Sequence, residues 1–325
     1  MTTHAAIRLV VLSLVALTAS AGWADPFMGQ YAGTFYPDSV TQMPATAVVV
    51  AEGEDHYRVR IEATSNDPQR AATTVEVYAS KSGFEALIGS RSGGYHWHGQ
   101  INNGHLSIAS EYGLHFELDK VTRKSPKEGL EAPAGAVVLL PYKQGTKPDL
   151  SAWTNQEWKA LDSGAMQVGK GSTTTKERFG DIQHLHLEFW LPLEPLNRGQ
   201  GRCNSGLFLN DLYEVQILDS FGLVETSGDC GSLYSVKRPD VNASLPPETW
   251  QTYDIEFRAA RLGGDGKVSE EARITVYLNG VKIHDNVAIP RPTANPNADQ
   301  RPTGPIQLQD HGHPIQFRNI WLVKG

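Results

Sequence analysis

The chain is written almost throughout in short runs of alternating apolar and polar residues, and this alternation most restricts its fold. In an extended strand successive side chains point to opposite faces, whereas an amphipathic helix needs apolar residues every third or fourth position. Runs such as "HYRVRIEA", "TTVEVYAS", "QHLHLEFW", "TYDIEFR" and "ARITVYLNG" keep the two-residue period over strand lengths. Gly, Pro, Asn and Asp separate them and helical periodicity is nearly absent, so an all-β protein is expected. "NNG" at Asn102 to Gly104 and "LNG" at Leu278 to Gly280 mark tight hairpins, because Asn and Gly tolerate the left-handed backbone of such turns.

The 325 residues, 40% of them hydrophobic, suffice for one large or two ordinary domains. Residues 1–24 carry one arginine, an apolar run from Leu9 to Leu17 and small residues up to Ala24. They read as a secretory signal cut after Ala24, with an apolar run too short to span a bilayer. A periplasmic or secreted protein with no membrane span is therefore expected. Residues 25–121 read as an accessory domain, a small β-barrel or β-sandwich. The charged, Pro- and Gly-rich stretch "TRKSPKEGLEAPAGA", Thr122 to Ala136, reads as a linker. Residues 137–325 carry enough strands for a two-sheet jelly roll.

Net charge is −7 with no basic stripe, which argues against nucleic acid as a partner. The two cysteines, Cys203 and Cys230, are a disulfide candidate in an exported chain, with two buried thiols as the other reading.

Alternation also assigns faces. Leu185, Leu187 and Phe189 share one side of their strand and His184, His186 and Glu188 the other. Tyr213, Val215 and Ile217 oppose Glu214 and Gln216; Ile306 and Leu308 oppose Gln307 and Gln309. The off-core faces are rich in groups that read hydroxyls. If their strands share one concave sheet they line a sugar cleft; otherwise they form an ordinary solvated face. His184 and His186 have a spacing common among metal ligands on strands, and a hydrogen-bonded pair is the competing reading. His311 and His313 flank Gly312, so a turn could bring both to one point. Asn242 to Ser244 fits a glycosylation sequon, which matters only in a eukaryotic secretory pathway.

The stretches "FGDIQHLHLEFW", "NSGLFL", "YEVQILDSFG", "CGSLY", "VNASLPPETWQTYDIEFRA", "ITVYLNGVKIHDN" and "GPIQLQDHGHPIQFRNIW" occur in that order between about Leu140 and the C-terminus. Together they resemble the 3-keto-disaccharide hydrolase family, also described as 3-keto-glucoside 1,2-lyases and 2-hydroxy-3-keto-glucal hydratases. The "KQGTKPDLSAWTN" segment resembles the family's opening, although Gln144 stands where an acidic residue is usual. The resemblance implies a concanavalin-like jelly roll and a small carbohydrate substrate whose C3 hydroxyl is already a ketone. That ketone acidifies the C2 hydrogen. A side-chain base removes it and the enolate expels the C1 aglycone, with rehydration giving net hydrolysis.

On this reading the base is Glu214 or His311. Asp310 orients His311 or holds a cation, with capping of its own turn as the alternative. Asn204, Gln216 and Gln309 read sugar hydroxyls. His186, Glu188 and Arg318 are further lining candidates, with an Arg318–Glu188 ion pair as the alternative. No cofactor is certain; a divalent metal ion is possible, with His184, His186 and His311 as candidate ligands. Two other function classes compete: a carbohydrate-binding protein without chemistry, and a conventional glycosidase using Glu188 and Glu214.

Overall fold

The computed structural model describes residues 25–64, 72–293 and 295–325; the leader read in residues 1–24 lies outside them. Eight strands come first: β1 (Gly29–Tyr36), β2 (Met43–Gly53), β3 (His56–Ala63), β4 (Thr73–Ser82), β5 (Glu85–Ser92), β6 (Tyr95–Asn102), β7 (His105–Ser110) and β8 (His115–Val121). Each pairs antiparallel with the next, and β8 returns to β1 from Gln30↔Val121 to Tyr36↔His115, closing a barrel. Closure removes the unpaired edges of an open sheet. The interior is packed solid by Tyr31, Val59, Ile61, Trp97, Ile101 and Phe116, as a barrel of this strand number requires. Asn103 and Gly104 both take positive φ between β6 and β7, and Asn279 and Gly280 do so in the second hairpin foreseen from sequence. Gly33 serves another need, since a Cβ there would lie 2.1 Å from the Glu117 carbonyl oxygen of β8.

The remainder is built on β9 (Val137–Leu140), β10 (Lys159–Ala160), β11 (Met166–Gln167), β12 (Thr173–Thr174), β13 (Ile182–Trp190), β14 (Ser205–Leu209) and β15 (Tyr213–Ile217). It continues through β16 (Gln251–Arg258), β17 (Arg261–Leu262), β18 (Val268–Glu270), β19 (Ala272–Leu278), β20 (Val281–Ile289), β21 (Gln307–Leu308) and β22 (Gln316–Lys324). A large sheet runs β10-β11-β22-β13-β16-β19-β20, with β9 also on β22; a small sheet runs β12-β21-β14-β15. Leu185, Leu187 and Phe189 of the large sheet and Leu207, Val215, Ile217 and Leu308 of the small one belong to a single buried cluster. The two sheets therefore face each other as a sandwich, the jelly roll expected of this region. Among the described residues no helix is long and apolar enough to cross a membrane.

Two features bear on the site. The segment read as a linker lies over the outer face of the large sheet. Ser125 Oγ meets Thr252 Oγ1 at 2.7 Å, Gly129 N donates to Glu188 Oε1 at 2.6 Å, and Trp321 Nε1 donates to the Leu130 carbonyl at 3.1 Å. The turn after β15 reaches the barrel: Phe221 is buried in the barrel's apolar cluster, and Arg58 Nη2 donates to the Gly222 carbonyl at 3.4 Å.

Candidate active site on the small sheet

With Leu207, Val215, Ile217 and Leu308 turned into the core, their neighbours Gly206, Glu214, Gln216, Gln307 and Gln309 must face outward. Register places them side by side, because Gly206 pairs with Gln216, and Phe208 pairs with Glu214 on one side and Gln307 on the other. Gln309 N donates to the Gly206 carbonyl at 3.0 Å, so Gln216 and Gln309 flank Gly206 on the two neighbouring strands. Glycine is needed between them: a Cβ at 206 would lie 2.4 Å from Glu214 Oε1. The bare backbone of β14 thus makes room for the Glu214 carboxyl.

Glu214 is only 3% exposed, and among the described residues no side-chain hydrogen bond or cation accompanies its carboxyl. Burial alone pushes its pKa up to about 7, where it is a competent proton acceptor near neutral pH. Around it two amides offer unused groups. Gln309 Oε1 and Asn204 Oδ1 are buried without a hydrogen-bond partner. An orphaned buried acceptor costs about 1–3 kcal/mol, so two beside a buried carboxyl are groups awaiting donors. The Asn204 and Gln216 amides are held in place by one residue the sequence did not single out. Gln200 Oε1 accepts from Asn204 Nδ2 at 2.9 Å and from Gln216 Nε2 at 3.0 Å. Nothing in "NRGQGRC" marks Gln200, and the role of Gly206 could have been found only from the pairing register.

His311 is exposed in the turn that follows β21, where Gly312 takes φ +86°. Asp310 caps that turn: Oδ1 accepts from Gly312 N at 2.8 Å and Oδ2 from Gly171 N at 2.7 Å. Both oxygens thus accept from backbone amides, the capping alternative read for Asp310.

His186, Glu188 and Arg318 belong to a different place. They point away from the core on the large sheet, whose outward face is the opposite side of the sandwich. Glu188 Oε2 accepts from Arg318 Nε at 2.6 Å, and Arg318 Nη2 donates to Glu128 Oε1 of the strap at 2.8 Å. His184 Nε2 and His186 Nδ1 both meet Asp254 Oδ1, at 2.8 and 2.9 Å. Burial opposes the charges of His186, Glu188 and Asp254. Their mutual hydrogen bonds, with Arg318 and Asn319 on Glu188, nevertheless hold the imidazole above its ordinary pKa and the carboxyls below theirs. With His186 and Glu188 fully buried beneath the strap and Arg318 only 7% exposed, they form a structural ion network and line no sugar cleft.

The same placement separates Glu188 from Glu214, the pair considered for a conventional glycosidase. Glu188 and Glu214 point outward from sheets that pack about 10 Å apart, beyond the roughly 5–9.5 Å that flanks one glycosidic bond. Nor do His184, His186 and His311 converge on one ion. Among the described residues, the grouping with mutually close ligand atoms is Glu194, Cys203 and His313. Of the two readings of the cysteines, the structure has the two buried thiols and not the disulfide. Cys203 Sγ donates to the Pro192 carbonyl at 2.9 Å, while Cys230 Sγ contacts Tyr253 Oη at 3.4 Å, so the two free thiols occupy separate buried sites.

Comparisons with known proteins bear on the family and the fold. Residues 137–323 match the family described as the 3-keto-alpha-glucoside-1,2-lyase-like domain. A crystal structure at 2.13 Å of a Parabacteroides distasonis protein, to which glycosyl hydrolase activity is ascribed, is 36% identical with a TM-score of 0.54, covering 60% of this chain and 85% of that one. A second structure from the same organism, with the same ascription, is 16% identical with a TM-score of 0.41 over 55% and 90% of the two chains, too remote to add to the argument. None of the curated proteins matches the chain. The family match and the 36% identical neighbour place the chain in a carbohydrate-active class of enzyme. The matched span is more than half of the sequence, and the chain belongs to the 3-keto-alpha-glucoside-1,2-lyase-like family.

Proposed function

We propose that the protein cleaves 3-keto-glucosides by 1,2-elimination on the outer face of the small sheet. The observation that carries this reading is Glu214: a buried carboxyl with no cation or hydrogen bond, its pKa near 7, amid amide groups with unused acceptors. One base is what this chemistry asks for. The ionised Glu214 carboxylate takes the hydrogen from C2, and the C–H electron pair moves into the ring as an enolate delocalised onto the C3 oxygen. The enolate collapses to a C1–C2 double bond as the C1–O bond breaks, releasing the aglycone, which takes up a proton. The products are the free alcohol and a 2-hydroxy-3-keto-glucal; addition of water across the new double bond would complete a net hydrolysis.

Gln309 and Asn204 serve as hydroxyl readers, their unused acceptors suiting donors on a sugar. Gln216 is instead occupied within the protein, its Oε1 accepting from Ile217 N and its Nε2 donating to Gln200 Oε1 and the Gly228 carbonyl. A Gln309 amide turned about its last bond presents its NH2 group to the developing enolate oxygen. His311, exposed in the turn after β21, is assigned to protonate the leaving oxygen. The apolar leader read in residues 1–24 supports export, to the periplasm or beyond.

A second reading, sugar binding without chemistry, is favoured by one feature. A hollow of about 1060 Å³ opens on the large sheet between His184, Asp254, Arg258 and Tyr277, and Asp254 Oδ2 and Arg258 Nε there lack partners. Both histidines there bond Asp254 Oδ1, which leaves Oδ2 as the orphaned acceptor. Incubation of the full-length protein with 3-keto-glucosides and their unoxidised counterparts separates the readings. The proposal predicts consumption of the keto-sugars alone, with an enone product. Equal turnover of unoxidised glucosides, or binding of keto-sugars without product, would overturn it.

A further inference from the structure

A second cluster of reactive side chains lies beside the proposed active site and plays no part in that chemistry. Cys203 immediately precedes Asn204 and is wholly buried; its φ of +50° places a non-glycine residue in the left-handed region. Glu194 comes from the irregular segment after β13. His313 comes from the turn that carries His311, two residues further on. One carboxylate oxygen, the thiol sulfur and one imidazole nitrogen lie within 4.8 Å of one another. His313 Nδ1 stands 2.9 Å from Glu194 Oε2, and the Cys203 thiol also interacts with the Glu194 carboxylate. The imidazole and carboxylate keep 14% and 24% of their surface exposed, giving an entry path, while the sulfur forms the floor.

From this convergence we infer that Glu194, Cys203 and His313 form a binding site for one divalent cation of the zinc class. Bonds of about 2.0–2.3 Å in a tetrahedron place donor atoms about 3.3–3.8 Å apart, so the three groups need to close by only about 1 Å. A mixed sulfur, nitrogen and oxygen set selects borderline ions such as Zn²⁺ and Co²⁺ over the all-oxygen preference of Ca²⁺ and Mg²⁺. Binding breaks the Cys203 S–H bond, forms a metal–thiolate bond and releases one proton to solvent, with water completing the fourth position. The ion would clamp the 310–313 turn to the segment that presents Asn204, fixing two edges of the cleft at once. The inference is independent of the keto-sugar reading.

The test is titration of the chelator-treated, full-length protein with Co²⁺, followed by absorption spectroscopy. One equivalent should bind with a thiolate-to-cobalt charge-transfer band in the near ultraviolet. Cys203→Ser should abolish the band, and His313→Gln should weaken affinity by on the order of 10–100-fold or more. His313 is partly exposed, so its variant keeps the test decisive should Cys203→Ser fold poorly. Absence of stoichiometric uptake, uptake without the charge-transfer band, or unchanged Co²⁺ affinity in folded His313→Gln would each overturn the inference.

Discussion

Glu214, the base of the proposed elimination, is buried at the expense of the fold. Its carboxyl titrates at about 7 in the folded chain against an ordinary value of 4.5. Between those values the native state holds the extra proton, so stability present below pH 4.5 is lost as pH rises through 7. A gap of about 2.5 pH units corresponds to about 3 kcal/mol. Glu214→Gln keeps the shape without the charge. The variant should match the native protein in urea unfolding near pH 4 and exceed it by about 3 kcal/mol near pH 8. A variant destabilised equally at both values would contradict this account of the site. Sequence pointed to Glu214 through the alternation of "YEVQIL" and the family resemblance. It gave no sign of the absent Cβ at Gly206, because that requirement exists only across two paired strands.

At the scale of elements, the strap from Ser125 to Leu130 and strands β13 and β22 form one unit around Glu188 and Arg318. Removing one member of a buried, hydrogen-bonded ion pair costs about 3–5 kcal/mol, because the remaining charge is left without a partner. Glu188→Gln should therefore lose stability in that range by denaturant unfolding, while the folded fraction keeps its turnover of keto-sugars. Lost turnover at full stability would return Glu188 to the active site. The strands themselves were legible: alternation assigned Leu185, Leu187 and Phe189 to the core, and Asn102 to Gly104 marked a true hairpin. What alternation cannot tell is which sheet a strand joins. His186 and Glu188 face away from the core just as Glu214 and Gln216 do, yet from the opposite sheet. The linker composition of residues 122–136 likewise concealed a segment whose backbone amide and carbonyl groups bind buried side chains.

In the whole molecule the barrel braces the strand that carries the base. Directly after β15, Asp219 forms a buried pair with Arg202 at 2.6 Å, and Phe221 then inserts into the barrel's apolar cluster. Arg198 Nη2 adds a bond to the Glu52 carbonyl at 2.7 Å from the segment that presents Gln200 and Asn204. The strand that carries Glu214 and the segment that presents Gln200 and Asn204 are thus tied to the same neighbour. The most direct measurement is the consumption of a 3-keto-glucoside in deuterated water by full-length Glu214→Gln, followed at C2 by nuclear magnetic resonance. The account predicts a fall of about 10²–10⁴-fold in rate, together with loss of C2 hydrogen exchange, in a protein that remains folded. Consumption and exchange at the native rate would show that another residue removes the proton.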